Sequence, residues 1–118
     1  MAKESAFTDT QIAERLGTLP GWYYEDRAIR RVYETDGWPT LMLVNALGFV
    51  AEAADHHPDL TVTYRRVVVA LSTHSAGGIT GKDFELASKC DEVAFWRPQS
   101  GGALTGPPEK LVRSSERR

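Results

Sequence analysis

Two runs of β-branched residues separated by only two arginines limit the fold more than any other feature of this sequence. LTVTY occupies residues 60–64 and VVVALST residues 67–73. β-branched residues favour strands, and two strands joined by so short a connection must run antiparallel. WYYEDRAIRRVYET, residues 22–35, has the pattern of a second such pair around a turn near Asp26. The chain is therefore predicted to contain two hairpins.

The segment between the hairpins has the proline boundaries and the periodicity of an amphipathic helix. Pro39 is tolerated in a first helical turn, and Pro58 disfavours helical geometry at His57, so the helix is predicted to end close to His56. One helical face would carry Leu43, Leu47, Val50 and Ala54.

Two further helices are predicted at the ends of the domain. Thr8 is a suitable N-cap for a short helix that ends near Gly17. Thr80 and Asp83 have the spacing of a capping box, with Asp in place of the usual Glu or Gln. The order α-β-β-α-β-β-α, with no crossover helix inside either strand pair, predicts an α+β domain in which helices pack on one face of a four-stranded antiparallel sheet.

Composition and charge exclude several classes of protein. The 118 residues are 42% hydrophobic and 25% charged, which is typical of one globular domain. A formal net charge of -2 gives no indication of nucleic-acid binding or of an anionic membrane surface. Residues 97–118 are rich in Pro, Gly and Ser and hold five basic against two acidic side chains. We therefore predict a domain over residues 1–96 and a flexible basic tail over residues 97–118.

The single cysteine, Cys90, excludes an internal disulfide and indicates a reducing compartment. It lies inside the last predicted helix without a suitably placed base, so a packing role is predicted for it. The first ten residues lack the apolar segment that a secretion signal requires. The protein is expected to be cytoplasmic.

All three histidines lie at the ends of predicted elements. His56 and His57 end the middle helix within EAADHHPDL, and His74 follows the fourth strand in LSTH. Helical spacing would place Glu52 and Asp55 on the same face as His56. The ordinary pKa of histidine, about 6.5, suits proton transfer near neutral pH. A protonated and a neutral imidazole in one pocket would supply a general acid and a general base.

The residues alone leave two other hypotheses open. A His-Pro pair at a helix end is often only a C-cap in which the imidazole bonds an exposed carbonyl. Three imidazoles can also hold a zinc ion. Adjacent histidines point in different directions, however, and no HxxxH or HxH spacing is present, so we predict no metal site.

The spacing of these side chains resembles the motif of the pterin-4a-carbinolamine dehydratases. The positions that match it, at the family's spacing, are Glu52, His56, His57, Pro58, Tyr64, His74 and Asp83. Gly21-Trp22, LSTH and GITGKDFELA at residues 78–87 agree with the family as well. The resemblance covers roughly residues 9–95.

The resemblance implies an activity and a set of site residues. The activity is removal of water from 4a-hydroxytetrahydrobiopterin to give a quinonoid dihydropterin in tetrahydrobiopterin recycling, without a metal or redox cofactor. The implied catalytic residues are His56, His57, His74 and Glu52, with His56 and His74 transferring protons. The implied pterin-binding residues are Asp55, His56, His57, Ser72, Thr73, His74 and Ser75. Asp83 belongs to the motif, but its capping position favours a structural role.

Two positions depart from the family, and a second function remains open. Leu60 stands where many members have a tryptophan, and Ser75 where many have an acidic residue. The resemblance also implies a homo-oligomer, a dimer or tetramer. The alternative is a non-catalytic binding or assembly module, similar to the transcription-factor dimerisation cofactor of animals or to Rubisco assembly-factor-like relatives, with the tail binding a protein partner.

Overall fold

The computed structural model describes residues 5–107 and 111–113. Its elements are α1 (Asp9–Leu16), β1 (Tyr23–Glu25), β2 (Ala28–Glu34), α2 (Pro39–Ala54), β3 (Asp59–Thr63), β4 (Arg66–Leu71) and α3 (Gly81–Ala94), with a 3-10 turn at His74–Ala76 before α3. The predicted order of helices and strands is confirmed, and so is the α+β class. None of the helices in the described residues is long and apolar enough to cross a membrane.

The four strands form one antiparallel sheet in the order β1-β2-β4-β3. Asp26 and Arg27 join β1 to β2, and both have left-handed backbone angles, with φ of 49° and 65°. Two successive residues of this kind make the tight turn that matches the twist of paired strands. The central pair, β2 and β4, comes from different hairpins and runs from Ile29↔Leu71 to Glu34↔Arg66.

The hydrophobic core lies between one face of this sheet and the three helices. Val67, Val69 and Leu71 of β4 are fully buried, whereas Val68 and Ala70 between them are half-buried, as expected for a strand with one face in the core. The helices contribute Ile12, Leu43, Leu47, Phe84, Leu86, Ala87, Cys90 and Ala94. The prediction that helices pack on one face of the sheet is confirmed.

Both predicted N-caps are present, and the middle helix ends slightly earlier than predicted. Thr8 and Thr80 each form a complete capping box with the residue three positions later, Gln11 and Asp83. Helix α2 ends at Ala54 because the next residue turns to a left-handed conformation. Its buried face contains Ala51, and Ala54 is exposed.

A buried polar cluster joins β2 to α3. Asp91 of α3 accepts hydrogen bonds from the Tyr33 hydroxyl at 2.6 Å and from the Trp22 indole at 3.0 Å. Arg31, 2% exposed, lies 3.7 Å from the same carboxylate, and its guanidinium stacks on the Phe95 ring. The aspartate therefore connects α3 to β2 through Tyr33 and Arg31, and to the residue before β1 through Trp22.

Part of the segment beyond residue 96 contacts the domain. Val112, 2% exposed, forms an isolated antiparallel bridge with Thr35 just after β2. The backbone N–H of Arg113 donates to the carbonyl oxygen of Glu34 at 2.9 Å, and its guanidinium donates to Asp36 at 2.7 Å. The prediction of a tail separate from the domain did not include these contacts. Residues 108–110 and 114–118 of that segment lie outside the described residues.

Candidate active site

The turn that ends α2 gives the two histidines that follow it, His56 and His57, different partners. Asp55 adopts the left-handed conformation, with φ of 52°, and the backbone N–H of His56 donates to the carbonyl oxygen of Ala51 at 3.2 Å. This pattern is a common helix termination, and aspartate tolerates it better than most residues. Because the chain leaves the helix at Asp55, Glu52 contacts His57 rather than His56. Glu52, Asp55 and His56 were predicted to share one helical face, but Asp55 and His56 lie beyond the end of the helix.

His56 is paired with a buried carboxylate. Its Nε2 lies 2.7 Å from Oδ1 of Asp83, and the two side chains are 14% and 0% exposed. Asp83 lies in the first turn of α3, and the capping role expected from the sequence is present. The contact with His56 is a second role that sequence reasoning underestimated. The presence of Asp83 in the motif was the signal that could have revealed it.

The other carboxylate oxygen of Asp83, Oδ2, connects the His56–Asp83 pair to the residue that precedes His74. Oδ2 accepts from the hydroxyl of Thr73 at 2.8 Å and from the backbone N–H of Thr80 at 2.9 Å. The two threonine hydroxyls are also 2.8 Å apart, and both residues are buried. Thr73 directly precedes His74, so one carboxylate connects the end of β4 to the end of α2.

His74 and Ser75 lie exposed in the 3-10 turn that follows β4. The turn is closed by backbone hydrogen bonds between Thr73 and Gly78, at 2.9 and 3.3 Å. Gly77 ends it with φ of 72°, a conformation that favours glycine. The imidazole of His74 is therefore held at the protein surface by a short, closed loop.

His57 reaches the same edge of the sheet by way of the strand register. Asp59 pairs with Ala70, so His57, two residues before that pair, and Ser72, two residues after it, lie at the same end of β3 and β4. The Nε2 atom of His57 is 3.3 Å from Oε1 of Glu52, and both side chains are more than half exposed. This pair is open to solvent, unlike the pair formed by His56.

The predicted site residues thus gather at one edge, with different degrees of burial. Glu52, Asp55, His57, His74 and Ser75 are exposed, and His56 and Ser72 are half-buried. The hydroxyl of Thr73 points into the hydrogen-bond network and not to the surface. Within the part of the chain that the structure describes, no three His, Cys, Asp or Glu side chains are placed to hold a metal ion.

Two residues of the motif region lie elsewhere. Tyr64 is exposed at the far end of β3, roughly 20 Å along an extended strand from Pro58. Its carbonyl oxygen accepts from the Thr40 hydroxyl at 2.7 Å, next to the start of α2. Leu60 is half-buried against the core.

A groove of about 510 Å³ lies between α2 and α3. Its lining is mainly apolar and includes Phe49, Val50 and Leu86, with Lys82 and Lys89. Among the described residues that line it, His56 is the only histidine. The groove is therefore adjacent to the histidine edge and does not contain it.

Comparison with known proteins identifies the family of this chain. The family model for pterin 4 alpha carbinolamine dehydratase matches residues 5–93, which include every site residue described above. The chain belongs to the pterin 4 alpha carbinolamine dehydratase family. The matched region of this dehydratase family ends before the segment that carries Val112.

Curated relatives and a solved structure show the same similarity. A protein of Roseiflexus castenholzii, provisionally named a pterin-4-alpha-carbinolamine dehydratase, is 46% identical over 86 residues, which are 72% of this chain and 92% of the relative. A protein of Sulfolobus acidocaldarius with the same provisional name is 42% identical over 72% of this chain and 94% of its own length. The crystal structure of a transcriptional coactivator/pterin dehydratase from Brucella melitensis superposes with a TM-score of 0.72 at 33% identity, and the match covers 76% of this chain and 99% of that one.

Proposed function

We propose that this chain is a dehydratase that removes water from a 4a-hydroxytetrahydropterin by general acid and base catalysis, in the recycling of tetrahydrobiopterin. The observation that carries the proposal is the pairing of His56 with buried Asp83 at the same sheet edge as His57 and His74. Membership of the family supports the substrate class.

The reaction requires one proton donor and one proton acceptor. Hydroxide is a poor leaving group, so the 4a hydroxyl must receive a proton as the C–O bond breaks and its electron pair leaves with water. The neighbouring ring N–H gives up its proton, and the electron pair of that bond forms the C=N bond of the quinonoid product. Each proton transfer to or from a positioned side chain is worth roughly 10²–10⁴ in rate. No oxidant or reductant takes part.

The site lies at the protein surface, at one edge of the sheet, and this position suits the binding of a planar pterin ring. We assign the proton transfers to His56 and His74, and we assign contacts with the pterin ring to His57, Asp55, Ser72 and Ser75. Glu52, 3.3 Å from His57, is placed to orient that imidazole. Thr73 takes part by holding this edge in place, because its hydroxyl is bonded to Asp83 and its backbone closes the turn that carries His74.

The deciding experiment is the dehydration rate of a freshly generated 4a-hydroxytetrahydropterin above the spontaneous rate. We expect His56→Ala and His74→Ala each to lower kcat by about 10²–10⁴. Glu92→Ala, an exposed change on the far part of α3, serves as the control and should leave kcat unchanged. A wild-type protein no faster than buffer would refute the proposal.

A binding or assembly module is the second candidate function. It is favoured by exposed apolar side chains at the start of α2 and along it, namely Trp38 directly before the helix and Met42 and Phe49 within it. The name of the Brucella melitensis neighbour also combines a coactivator with a dehydratase. A chain that binds a tetrahydropterin or a protein partner without accelerating dehydration would support this candidate over the first.

The same exposed side of α2 supports a homo-oligomer, a dimer or tetramer, as the working form of the protein. A helix that is apolar on more than one face is normally buried, and the inner face of α2 is already occupied by the core. The single cysteine favours a reducing, cytoplasmic location for this assembly.

A further inference from the structure

We propose that Asp83 is a positioning residue that holds His56 in the tautomer protonated at Nε2, so that Nδ1 is the atom that exchanges a proton with the substrate. The inference rests on the proposed function for its catalytic consequence. The tautomer itself follows from the hydrogen bonds together with the greater basicity of imidazole, and it can be measured without substrate.

The acceptor role of Asp83 is set by its two partners at Oδ2. A backbone N–H can only donate, so the bond from Thr80 N makes Oδ2 an acceptor. The Thr73 hydroxyl donates its single hydrogen to the same oxygen. The Thr80 hydroxyl must then donate to the oxygen of Thr73, 2.8 Å away. All three residues are buried. The hydrogen bonds therefore run from the Thr80 hydroxyl to the Thr73 hydroxyl and end on the carboxylate of Asp83.

Oδ1 of Asp83 then determines the state of His56. An ionised carboxylate has no hydrogen to give, and imidazole is ordinarily the stronger base of the two side-chain types. The 2.7 Å contact therefore requires a proton on Nε2 of His56. In the neutral ring, Nδ1 is left with a free lone pair.

This arrangement assigns His56 the role of proton acceptor. When Nδ1 takes the ring N–H proton of the substrate, the positive charge of the imidazolium forms beside the buried carboxylate, which stabilises it. The exposed His74 then has the role of giving a proton to the departing hydroxyl. The sequence left these two roles unassigned.

Thr73 is a positioning residue in the same network. Its hydroxyl is bonded to Asp83, and its backbone N–H and carbonyl close the turn that carries His74. One buried carboxylate is therefore connected to both proton-transfer residues, to His56 directly and to the turn that carries His74 through Thr73.

Asp83→Asn is the variant that tests the assignment. Oδ2 receives two donors, so the carbonyl oxygen of the new amide must occupy that position, and its NH₂ group must face Nε2 of His56. The bond from Thr80 N, and with it the helix cap, is preserved. Because the amide donates to Nε2, the proton of the imidazole moves to Nδ1.

We expect two results from this variant. The ¹⁵N NMR spectrum of His56 should show a protonated Nε2 in the wild type and a protonated Nδ1 in Asp83→Asn. The kcat should fall by about 10²–10⁴, since the acceptor atom is lost while the shape of the site is kept. Thr8→Ala, which removes the cap of α1, controls for a loss of stability and should lower Tm with kcat unchanged.

The outcomes separate this inference from the proposed function. A wild-type spectrum with His56 protonated at Nδ1 would overturn the inference, and it needs no variant to fold. A normal kcat in Asp83→Asn would overturn its catalytic part. A wild type without dehydratase activity would remove the proposed function, and the spectra of the two proteins would still decide the tautomer.

Discussion

At the scale of single residues, burial separates the two neighbouring histidines. His57 and Glu52 are 56% and 72% exposed, so water screens their contact and it adds little to stability. His56 and Asp83 are shielded from water, where a hydrogen bond to a charged group is stronger and its geometry is better defined. The orientation of the His56 ring is therefore fixed more firmly than that of the neighbouring His57 ring.

Burial also predicts the behaviour of Cys90. The side chain is 1% exposed, and burial, together with the nearby Asp91, raises the pKa of its thiol to about 12. The thiolate, which is the reactive form, is then scarce at neutral pH. We expect no labelling of the native protein by a thiol reagent at pH 8 and one label per chain in denaturant. Rapid labelling of the native protein would contradict this prediction.

At the scale of elements, the cluster around Asp91 connects α3 to the sheet and makes that connection sensitive to pH. Burial raises the pKa of Asp91 above its ordinary value of 3.8, and the hydrogen bonds from Tyr33 and Trp22, together with the positive charge of Arg31, oppose the rise. A carboxyl whose folded-state pKa is raised contributes most to stability when protonated. Its contribution is present below about pH 3.8 and falls as the pH rises through the raised value.

Tyr33→Phe should therefore destabilise the protein most at neutral pH. The variant removes the donor that lies 2.6 Å from ionised Asp91, and a hydrogen bond to a charged group is worth about 1.5–3 kcal/mol. Near pH 3 the carboxyl is protonated, and the loss should shrink to about 0.5–1.5 kcal/mol. Urea unfolding at both pH values measures this difference. Tyr24→Phe, at an exposed position, is the control, and an equal loss at both pH values would contradict the prediction.

The contact between residues 111–113 and the end of β2 leads to a separate prediction about the free energy of unfolding. Val112→Ala should lower the free energy of unfolding by roughly 1–3 kcal/mol, because two buried methyl groups are lost from a closed site. Leu111→Ala, at a neighbouring position that is 39% exposed, should change it by less than about 0.5 kcal/mol. Urea unfolding compares the two. A value near zero for Val112→Ala would mean that the segment does not dock in solution.

At the scale of the whole molecule, α2 has apolar side chains on two sides. Leu43, Leu47 and Ala51 face the core. Trp38, directly before α2, and Phe49 within it are 76% and 70% exposed. Large apolar side chains concentrated in this way on the surface usually mark an interface.

Phe49→Asp should therefore convert an oligomer into a 13.1 kDa monomer. A carboxylate in the centre of an apolar interface has no partner and must be desolvated, so association becomes unfavourable. Light scattering after size-exclusion chromatography gives the mass directly. Leu104→Asp, at another exposed apolar position, is the control and should keep the wild-type mass. A wild type that is already monomeric would refute the homo-oligomer.

The order of elements was predictable because its signals are local. Pro39 begins α2, and the β-branched runs form β3 and β4. Thr8 and Thr80 accept bonds from residues only two or three positions away. Interactions of so few residues need no knowledge of the rest of the chain, and the sequence by itself determined them.

The contacts that join distant segments were decided only by the tertiary structure. His56 and Asp83 are 27 positions apart, and Tyr33 and Asp91 are 58 apart. The central pairing of β2 with β4 likewise joins two separate hairpins. No periodicity connects such positions, because their distance depends on how the sheet and helices pack together. The sequence determined which groups are available for proton transfer, and the packing of α2, β4 and α3 around one buried carboxylate decided how they are arranged.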